Sequence, residues 1–449
     1  MAKQTPQRGL YDPSYEHDAC GIGFVTRRSG EPSHEILTLA VQAVGHMAHR
    51  GGVAADGKSG DGAGILTQIP QAFFARELAR RGIAYPVADL AIGMCFLPRV
   101  EADHNTAQAL VEQGVAAYGM RVLAWRVVPL NEEALGESAR STCPAIEQAL
   151  IGWDAGAPAD TMARERALFL ARKQIERQAR DQELDEFYIA SFSSRTVVYK
   201  GLLIAPMLPV FYDDLRDPQY QTAIAVFHQR YSTNTLPSWP LAQPFRHLAH
   251  NGEINTLWGN RNAMTMRESL LASPLWGDKV QRLQQVIWAK GSDSASLDNA
   301  MELLVRSGRD PVHAAMMMIP QAWEKYPDVH PDIRAFYEYS QCLLEPWDGP
   351  AAVAYSDGLV AGAVVDRNGL RPCRYKVTRD GLVVVGSEVG LVDVEPEDVI
   401  ESGKVGPGEV LVVDTVRGRV IRNRDAKMEV ATRRPYASWV RRYMQTLVP

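Results

Sequence analysis

Cys20 is the residue from which chemistry is most readily written. It follows Ala19 and precedes Gly21-Ile22-Gly23, so small residues crowd a soft nucleophile and let a substrate or a second chain approach closely. A cysteine ahead of a β-prone run is more often a small buried hydrophobe, and that plain role stands unless other features outweigh it. Two features do. Only a short polar segment, Met1–Ala19, precedes Cys20, and its removal by cleavage would leave Cys20 first in the chain. A free α-amino group titrates near about 7.7–8, so a useful fraction is neutral at pH 7 and takes the thiol proton without a histidine relay. The chemistry so implied is attack of a thiolate on an amide carbonyl.

Such an attack needs hydrogen-bond donors for the developing oxyanion. The run HLAHNGEIN, residues 247–255, reads as a short strand leading into Asn251-Gly252, where a side-chain amide and a backbone N–H point at one spot. One such donor contributes roughly 3–4 kcal/mol in comparable sites. Seen alone, the pair is equally an ordinary Asn-Gly turn. His250 beside it is the histidine that a papain-like Cys–His relay would use, packing at a strand end being its plainer role. A substrate with an amino-acid end also needs a cation for its carboxylate and an anion for its ammonium group. Arg230 follows an apolar strand-like run and suits the first task, because a guanidinium grips a carboxylate with two parallel hydrogen bonds. Asp293, in Ser292-Asp293-Ser294, suits the second, at a loop-to-helix junction where an aspartate also serves as an N-cap. Residues 234–245, with Pro237, Trp239, Pro240 and Pro244, form a stiff loop with one large aromatic, either a lid or a rigid connection.

The elements that must position these groups are read from periodicity and turn residues. Strands are expected directly after Cys20 and at residues 91–97, 122–128, 187–191, 196–199, 222–227, 351–355, 359–365, 382–385 and 409–413. Asp357-Gly358 and Asp380-Gly381 join some of these as antiparallel hairpins. Ser33 caps a helix carrying Ile36, Ala40, Ala43, Val44 and Met47 at helical spacing, and it stops before Gly51-Gly52 and a glycine-rich loop. Residues 163–186 read as a solvated amphipathic helix, and most of 260–345 as helical. Strands, then helices, then strands place helices outside antiparallel sheets.

Composition narrows the partners. With 22% charged and 46% hydrophobic residues over 449 positions, the chain is globular in type. A net charge of −5 and no arginine-rich face give no nucleic-acid partner. No apolar run approaches the ~18 residues that span a bilayer, and the N-terminus lacks a signal-peptide core, so no membrane partner and a cytoplasmic location are expected. Five widely spaced cysteines (Cys20, Cys95, Cys143, Cys342, Cys373) fit neither a disulfide framework nor a metal or iron–sulfur site.

Taken in order, CGIG after Ala19, AHRGG at 48–52, HQRYST at 228–233, AHNG at 249–252, SDS at 292–294 and DRNGLRP at 366–372 resemble the class II glutamine amidotransferases. Within them the long run FHQRYSTNTLPSWPLAQPFRHLAHNGEINTL, with EPWDGPAA, DRNGLRP, HDACGIGF and SEVG, is similar to the glutamate synthases. The resemblance implies an α+β fold, a four-layer αββα sandwich of the N-terminal-nucleophile hydrolase type with helical insertions. It implies a propeptide at 1–19, the amidotransferase domain at 20–415, and a linker or the start of a further domain at 416–449. By the same resemblance Cys20 is the nucleophile, Asn251 and the N–H of Gly252 form the oxyanion hole, Arg230 holds the α-carboxylate and Asp293 the α-ammonium of L-glutamine. Thr233 and Arg50 match supporting members of the binding site, and the loop around Trp239 a glutamine-covering lid. Ammonia so released is channelled to synthase domains that form glutamate from 2-oxoglutarate. No cofactor is expected in this chain; FMN, an iron–sulfur cluster and an electron-donating small subunit belong to the complete enzyme. The alternatives are the glutaminase domain of another amidotransferase and a non-catalytic glutamine-sensing module.

Overall fold

The computed structural model describes residues 20–232 and 235–445; residues 1–19, expected as a propeptide, and Thr233 lie outside the described residues. Strands β1 (Gly21–Arg27), β2 (Ser59–Gln68), β3 (Ala91–Leu97), β4 (Met120–Val127), β5 (Ala145–Trp153) and β6 (Tyr188–Ser193) come first. They are followed by β7 (Thr196–Leu203), β8 (Ile224–Gln229), β9 (Leu248–Gly252), β10 (Ala351–Ser356) and β11 (Val360–Val365). The last are β12 (Arg374–Thr378), β13 (Leu382–Gly386), β14 (Val399–Lys404), β15 (Val410–Asp414) and β16 (Arg419–Ile421). They form a seven-stranded sheet ordered β14-β12-β13-β1-β8-β2-β7, a five-stranded sheet ordered β16-β15-β11-β10-β9 and a four-stranded sheet ordered β4-β5-β3-β6.

The αββα layering follows from alternation along the strands. On β1, Ile22 and Phe24 face the five-stranded sheet, while Val25 between neighbouring residues faces the opposite side. The same switch separates Leu66 from Ile65, Val198 from Val197, and Val226 from Phe227. The five-stranded sheet answers with small side chains, Ala249, Ala352, Ala354, Ala361 and Ala363, so the two sheets close on a thin apolar layer. Outside the seven-stranded sheet lies the helix His34–His46, whose N-cap Ser33 accepts from Ile36 N and whose Ile36, Leu37, Ala40, Ala43 and Val44 are buried. Outside the five-stranded sheet lie Asp293–Arg306, Pro311–Met318, Pro331–Gln341 and Asn423–Ala431.

The strands expected at 91–97, 122–128 and 187–191 are present as β3, β4 and β6, and with β5 they form a separate antiparallel sheet covered by Glu101–Ala116 and Thr161–Asp181. Two expectations are corrected. The glycine-rich run is a loop only to residue 58, because Ser59–Gln68 is strand β2. Its Gly64 serves close packing rather than a turn, since a Cβ there would sit 2.6 Å from Lys200 Cβ and from Gln243 O. Finally, the segment after 415 is no linker. β16 pairs with β15, and Ile421, Ala426, Val430, Ala431 and Tyr436 are buried in the same core as the helices over the five-stranded sheet.

Candidate active site

Register along β1 and β8 assembles the first half of the site. Gly21 pairs with Gln229, so Cys20 at the start of β1 arrives opposite Arg230-Tyr231 at the end of β8. There the Sγ accepts from Tyr231 N at 3.3 Å and donates to Tyr231 O at 3.3 Å. Burial raises the thiol pKa above its ordinary value. The Tyr231 N–H and the Arg230 guanidinium pull it back, Asp293 pushes it up again, and Arg371 lowers it. The net is a protonated thiol at neutral pH, which must hand its proton to a base before it can attack.

Arg230 is 4% exposed, and among the described residues no carboxylate lies within ion-pair distance of it, Asp61 and Asp293 acting on it only at longer range. Its guanidinium donates to Asp61 O at 3.3 Å and to Thr235 Oγ1 at 2.7 Å, both neutral acceptors. A buried cation without a fixed counter-ion is costly, and an incoming carboxylate relieves that cost. Asp293 provides the opposite sign. Ser292, not Asp293, caps the helix, accepting from Ala295 N at 3.1 Å, which leaves the Asp293 carboxylate on the first helical residue. One of its oxygens accepts from Ile254 N at 3.0 Å, and its charge reaches both Cys20 and Arg230.

The second half comes from the other sheet. β9 is the edge strand and carries His250, Asn251 and Gly252, with Gly252 opposite Ala351 and Asn251 opposite Ala352. Gly252 has φ +132°, and a Cβ there would lie 1.7 Å from Pro350 O, so only glycine fits. The two sheets are joined by a polar bond where His228 Nε2 on β8 donates to His250 O at 3.1 Å. Burial drives the His228 pKa down to about 3, so that ring is neutral. His250 Nδ1 is engaged by Ser294 Oγ at 2.8 Å and has no hydrogen bond to Cys20. Burial lowers its pKa as well, with Asp293 opposing. These bonds argue against a Cys–His relay.

Two residues stand elsewhere than the sequence implied. Trp239 is not a lid: its indole is buried at 3% exposure, edge-on to Phe96 with ring centroids 6.0 Å apart, tilted against Phe211, and bonded to Ala139 O. It anchors the loop in the core, while Leu236, 89% exposed, points outward with Thr235 and Pro237. Arg50 is committed to Glu388, with Nε at 2.5 Å from Oε2, and Gly51-Gly52 behind it lie flat against Gln229 and Asp61. Thr233 lies outside the described residues.

Three further residues join the cluster. Asp61, inside the glycine-rich run, accepts from Ser232 N at 2.6 Å and so fixes the backbone beside the nucleophile. Ser387, in the SEVG run, bonds both Ile22 and Asn251. Arg371, in DRNGLRP, lies within electrostatic reach of Cys20 and His250, and its buried Nε has no hydrogen-bond partner. The sequence runs containing Ser387 and Arg371 were legible as motifs, but not as neighbours of Cys20. Two concavities lie elsewhere, one of about 270 Å³ beside Trp323 and Tyr337 and one of about 460 Å³ along Arg374–Lys376 and Ser402–Lys404. Neither contains Cys20, Arg230, Asn251 or Asp293, so the chemistry favours the strand-end cluster.

The family described as glutamine amidotransferases class-II matches residues 20–439. The chain belongs to the class II glutamine amidotransferases. Among curated relatives of this amidotransferase, the "Glutamate synthase [NADPH] large chain" of Azospirillum brasilense is 44% identical over 434 residues, covering 96% of this chain and 28% of that one. The protein of the same description from Bacillus subtilis (strain 168) is 42% identical over 439 residues, covering 97% and 29%. The "Ferredoxin-dependent glutamate synthase 2" of Synechocystis sp. is 43% identical over 436 residues, covering 96% and 28%. The amidotransferase therefore spans less than a third of the length of these relatives.

Proposed function

We propose that this chain hydrolyses L-glutamine to glutamate and ammonia through a thioester on Cys20. The observation that carries the reading is a thiol held at 3.3 Å by the Tyr231 amide, with the unpaired cation of Arg230 and the anion of Asp293 both within its field. That is the charge pattern an amino acid with a reactive side-chain amide requires. Removal of Met1–Ala19 frees the Cys20 amine, which takes the Sγ proton. The thiolate bonds to the amide carbon, and the oxyanion is held by Asn251 and the N–H of Gly252. The C–N bond breaks as the nitrogen receives the proton and leaves as ammonia; water then cleaves the thioester, releasing glutamate and restoring the thiol. Arg230 holds the α-carboxylate and Asp293 the α-ammonium, Thr233 has the supporting role that the family resemblance gives it, and Arg50 steadies the Glu388 segment.

The ammonia is passed to a synthase site outside these residues, where 2-oxoglutarate becomes glutamate with FMN, an iron–sulfur cluster and an electron-donating small subunit. The similarity to glutamate synthase large chains supports this reading. We place the reaction in the cytosol; among the described residues no helix is long and apolar enough to cross a membrane. The test of the hydrolytic reading is ammonia release from glutamine by the wild type and by Cys20→Ser. Release abolished by the substitution in a folded protein supports it, and undiminished release from Cys20→Ser refutes it.

A further inference from the structure

Nucleophile and oxyanion amide stand on different sheets, Cys20 at the head of β1 and Asn251 on β9. Between the sheets lies an apolar layer including Ile22, Ala249, Ala352 and Val385. Apolar contact is non-directional, so it sets the spacing of the sheets without choosing which end of a carboxamide faces the substrate. That choice needs a polar partner.

Ser387, one residue beyond β13 and 1% exposed, touches both sides. Its N–H donates to Ile22 O at 2.9 Å, and its Oγ accepts from Ile22 N at 3.1 Å. The same Oγ lies 3.2 Å from Asn251 Nδ2, and its own proton reaches only toward Ile22 O at 3.5 Å. In that arrangement Asn251 Oδ1 is buried with no partner. An unpartnered buried carbonyl oxygen calls for an explanation. The two ends of a carboxamide are isosteric, and the bonding pattern decides between them. Turned end for end, Oδ1 accepts the Ser387 hydroxyl proton, and Nδ2 takes the unpartnered position with two N–H donors and nothing to bind until an oxyanion forms. Ser387 Oγ then accepts from Ile22 and donates to Asn251, a chain in which each bond polarises the next.

We propose that Ser387 is a positioning residue that holds the Asn251 carboxamide oxygen, so that the nitrogen faces the oxyanion. The proposal rests on the glutaminase reading. It assigns no contact between Ser387 and glutamine itself; the hydroxyl acts through Asn251 and is tied by Ile22 to the strand that carries the nucleophile.

A double-mutant cycle on glutamine hydrolysis tests it, using wild type, Ser387→Ala, Asn251→Ala and the double variant, with Ser387→Thr as the variant that keeps the hydroxyl. Asn251→Ala is expected to lower kcat by roughly 10²–10³-fold. Ser387→Ala should lower kcat by about 10-fold or more with KM within about twofold, because the Asn251–oxyanion bond that Ser387 orients forms only in the transition state. In the Asn251→Ala background, Ser387→Ala should change kcat by less than about twofold, since the group it orients is gone. Recovery of most of the wild-type kcat by Ser387→Thr supports the role of the hydroxyl. The proposal is overturned if Ser387→Ala keeps the wild-type kcat, or if it costs the same factor with and without Asn251, as a merely structural residue would. Absence of hydrolysis in the wild type would instead overturn the glutaminase reading, leaving the two failures distinguishable.

Discussion

At the scale of single residues the site is a set of unbalanced charges and donors around one thiol. Among the described residues the Arg230 guanidinium donates to Asp61 O and Thr235 Oγ1, both neutral acceptors, which suits the proposed binding of the substrate's α-carboxylate. Arg230→Ala is expected to raise KM for glutamine roughly 10- to 100-fold, the worth of a charge-assisted hydrogen bond, with kcat little changed. Steady-state kinetics checks this, and a wild-type KM in the folded variant would remove Arg230 from carboxylate binding. The thiol itself is raised by burial, so activity should follow deprotonation of the freed α-amine, rising across about pH 7–8. A kcat/KM profile flat from pH 6 to 9 would show that some other group takes the proton. Cys20, Arg230, Asn251 and Asp293 were candidates in the sequence by residue type, each with a plainer reading beside it, and the family resemblance singled them out. Asp61 and Ser387 were not, because an acid or hydroxyl beside glycines reads as a turn. Their partners stand 171 and 365 positions away along the chain.

At the scale of elements, antiparallel pairing converts sequence motifs into a site. The register Gly21↔Gln229 sets Cys20 against Arg230-Tyr231, and Gly252↔Ala351 sets the other strand end. Gly252 is the tightest point in that second pairing. Gly252→Ala is expected to destabilise the chain by roughly 2–3 kcal/mol, because φ +132° is strained for alanine and the Cβ would meet Pro350 O. Urea denaturation measures it; a change within about 0.5 kcal/mol would mean that β9 shifts freely past β10. Hairpins flagged by Asp-Gly turns were legible, as at Asp357-Gly358, where Asp357 Oδ1 accepts from Leu359 N and Val360 N at 3.0 and 3.1 Å. For Trp239 the residues left a lid and a rigid connection both open, the family resemblance chose the lid, and the structure shows the rigid connection. Its fixed position comes from Phe96 on β3 and from Phe211, contacts that no local pattern shows. The segment after 415 was misread because its many arginines hide the buried stripe of Ala426, Val430 and Ala431.

At the scale of the whole molecule, the joint between the sheets and the flanking helices is polar at its centre and sensitive to acid. Burial holds His228 and His247 neutral down to about pH 3, whereas an unfolded histidine titrates near 6.5. Between these values the unfolded chain binds two more protons, so this stability is present above pH 6.5 and lost as pH falls below it. Asp298, raised to about 6 by burial and then by Glu302, opposes the trend, since between about pH 4 and 6 the folded chain holds its extra proton. These three groups together leave a loss of roughly 1.4 kcal/mol per pH unit over that window, and His313, lowered to about 4 by burial, and His250 add to it in the same direction. Thermal unfolding from pH 8 to 4 should show the midpoint falling below about pH 6.5, and a midpoint constant or rising to pH 5 would contradict the assignment of neutral buried histidines. Helices outside antiparallel sheets were legible from the hairpin turns and the order of elements, and the αββα layering came from the family resemblance; the separate four-stranded sheet was not legible, because β5 was not recognised as a strand between β4 and β6.

The proposed mechanism requires Cys20 to be the first residue of the mature chain and its Sγ to carry the acyl group. The most direct measurement is intact-mass analysis with N-terminal fragmentation of protein quenched in acid during glutamine turnover. The account predicts a chain beginning at Cys20 and carrying one γ-glutamyl group on that residue. Glutamine turnover by a chain whose Cys20 is still preceded by Ala19, or an acyl group on any other residue, would contradict it.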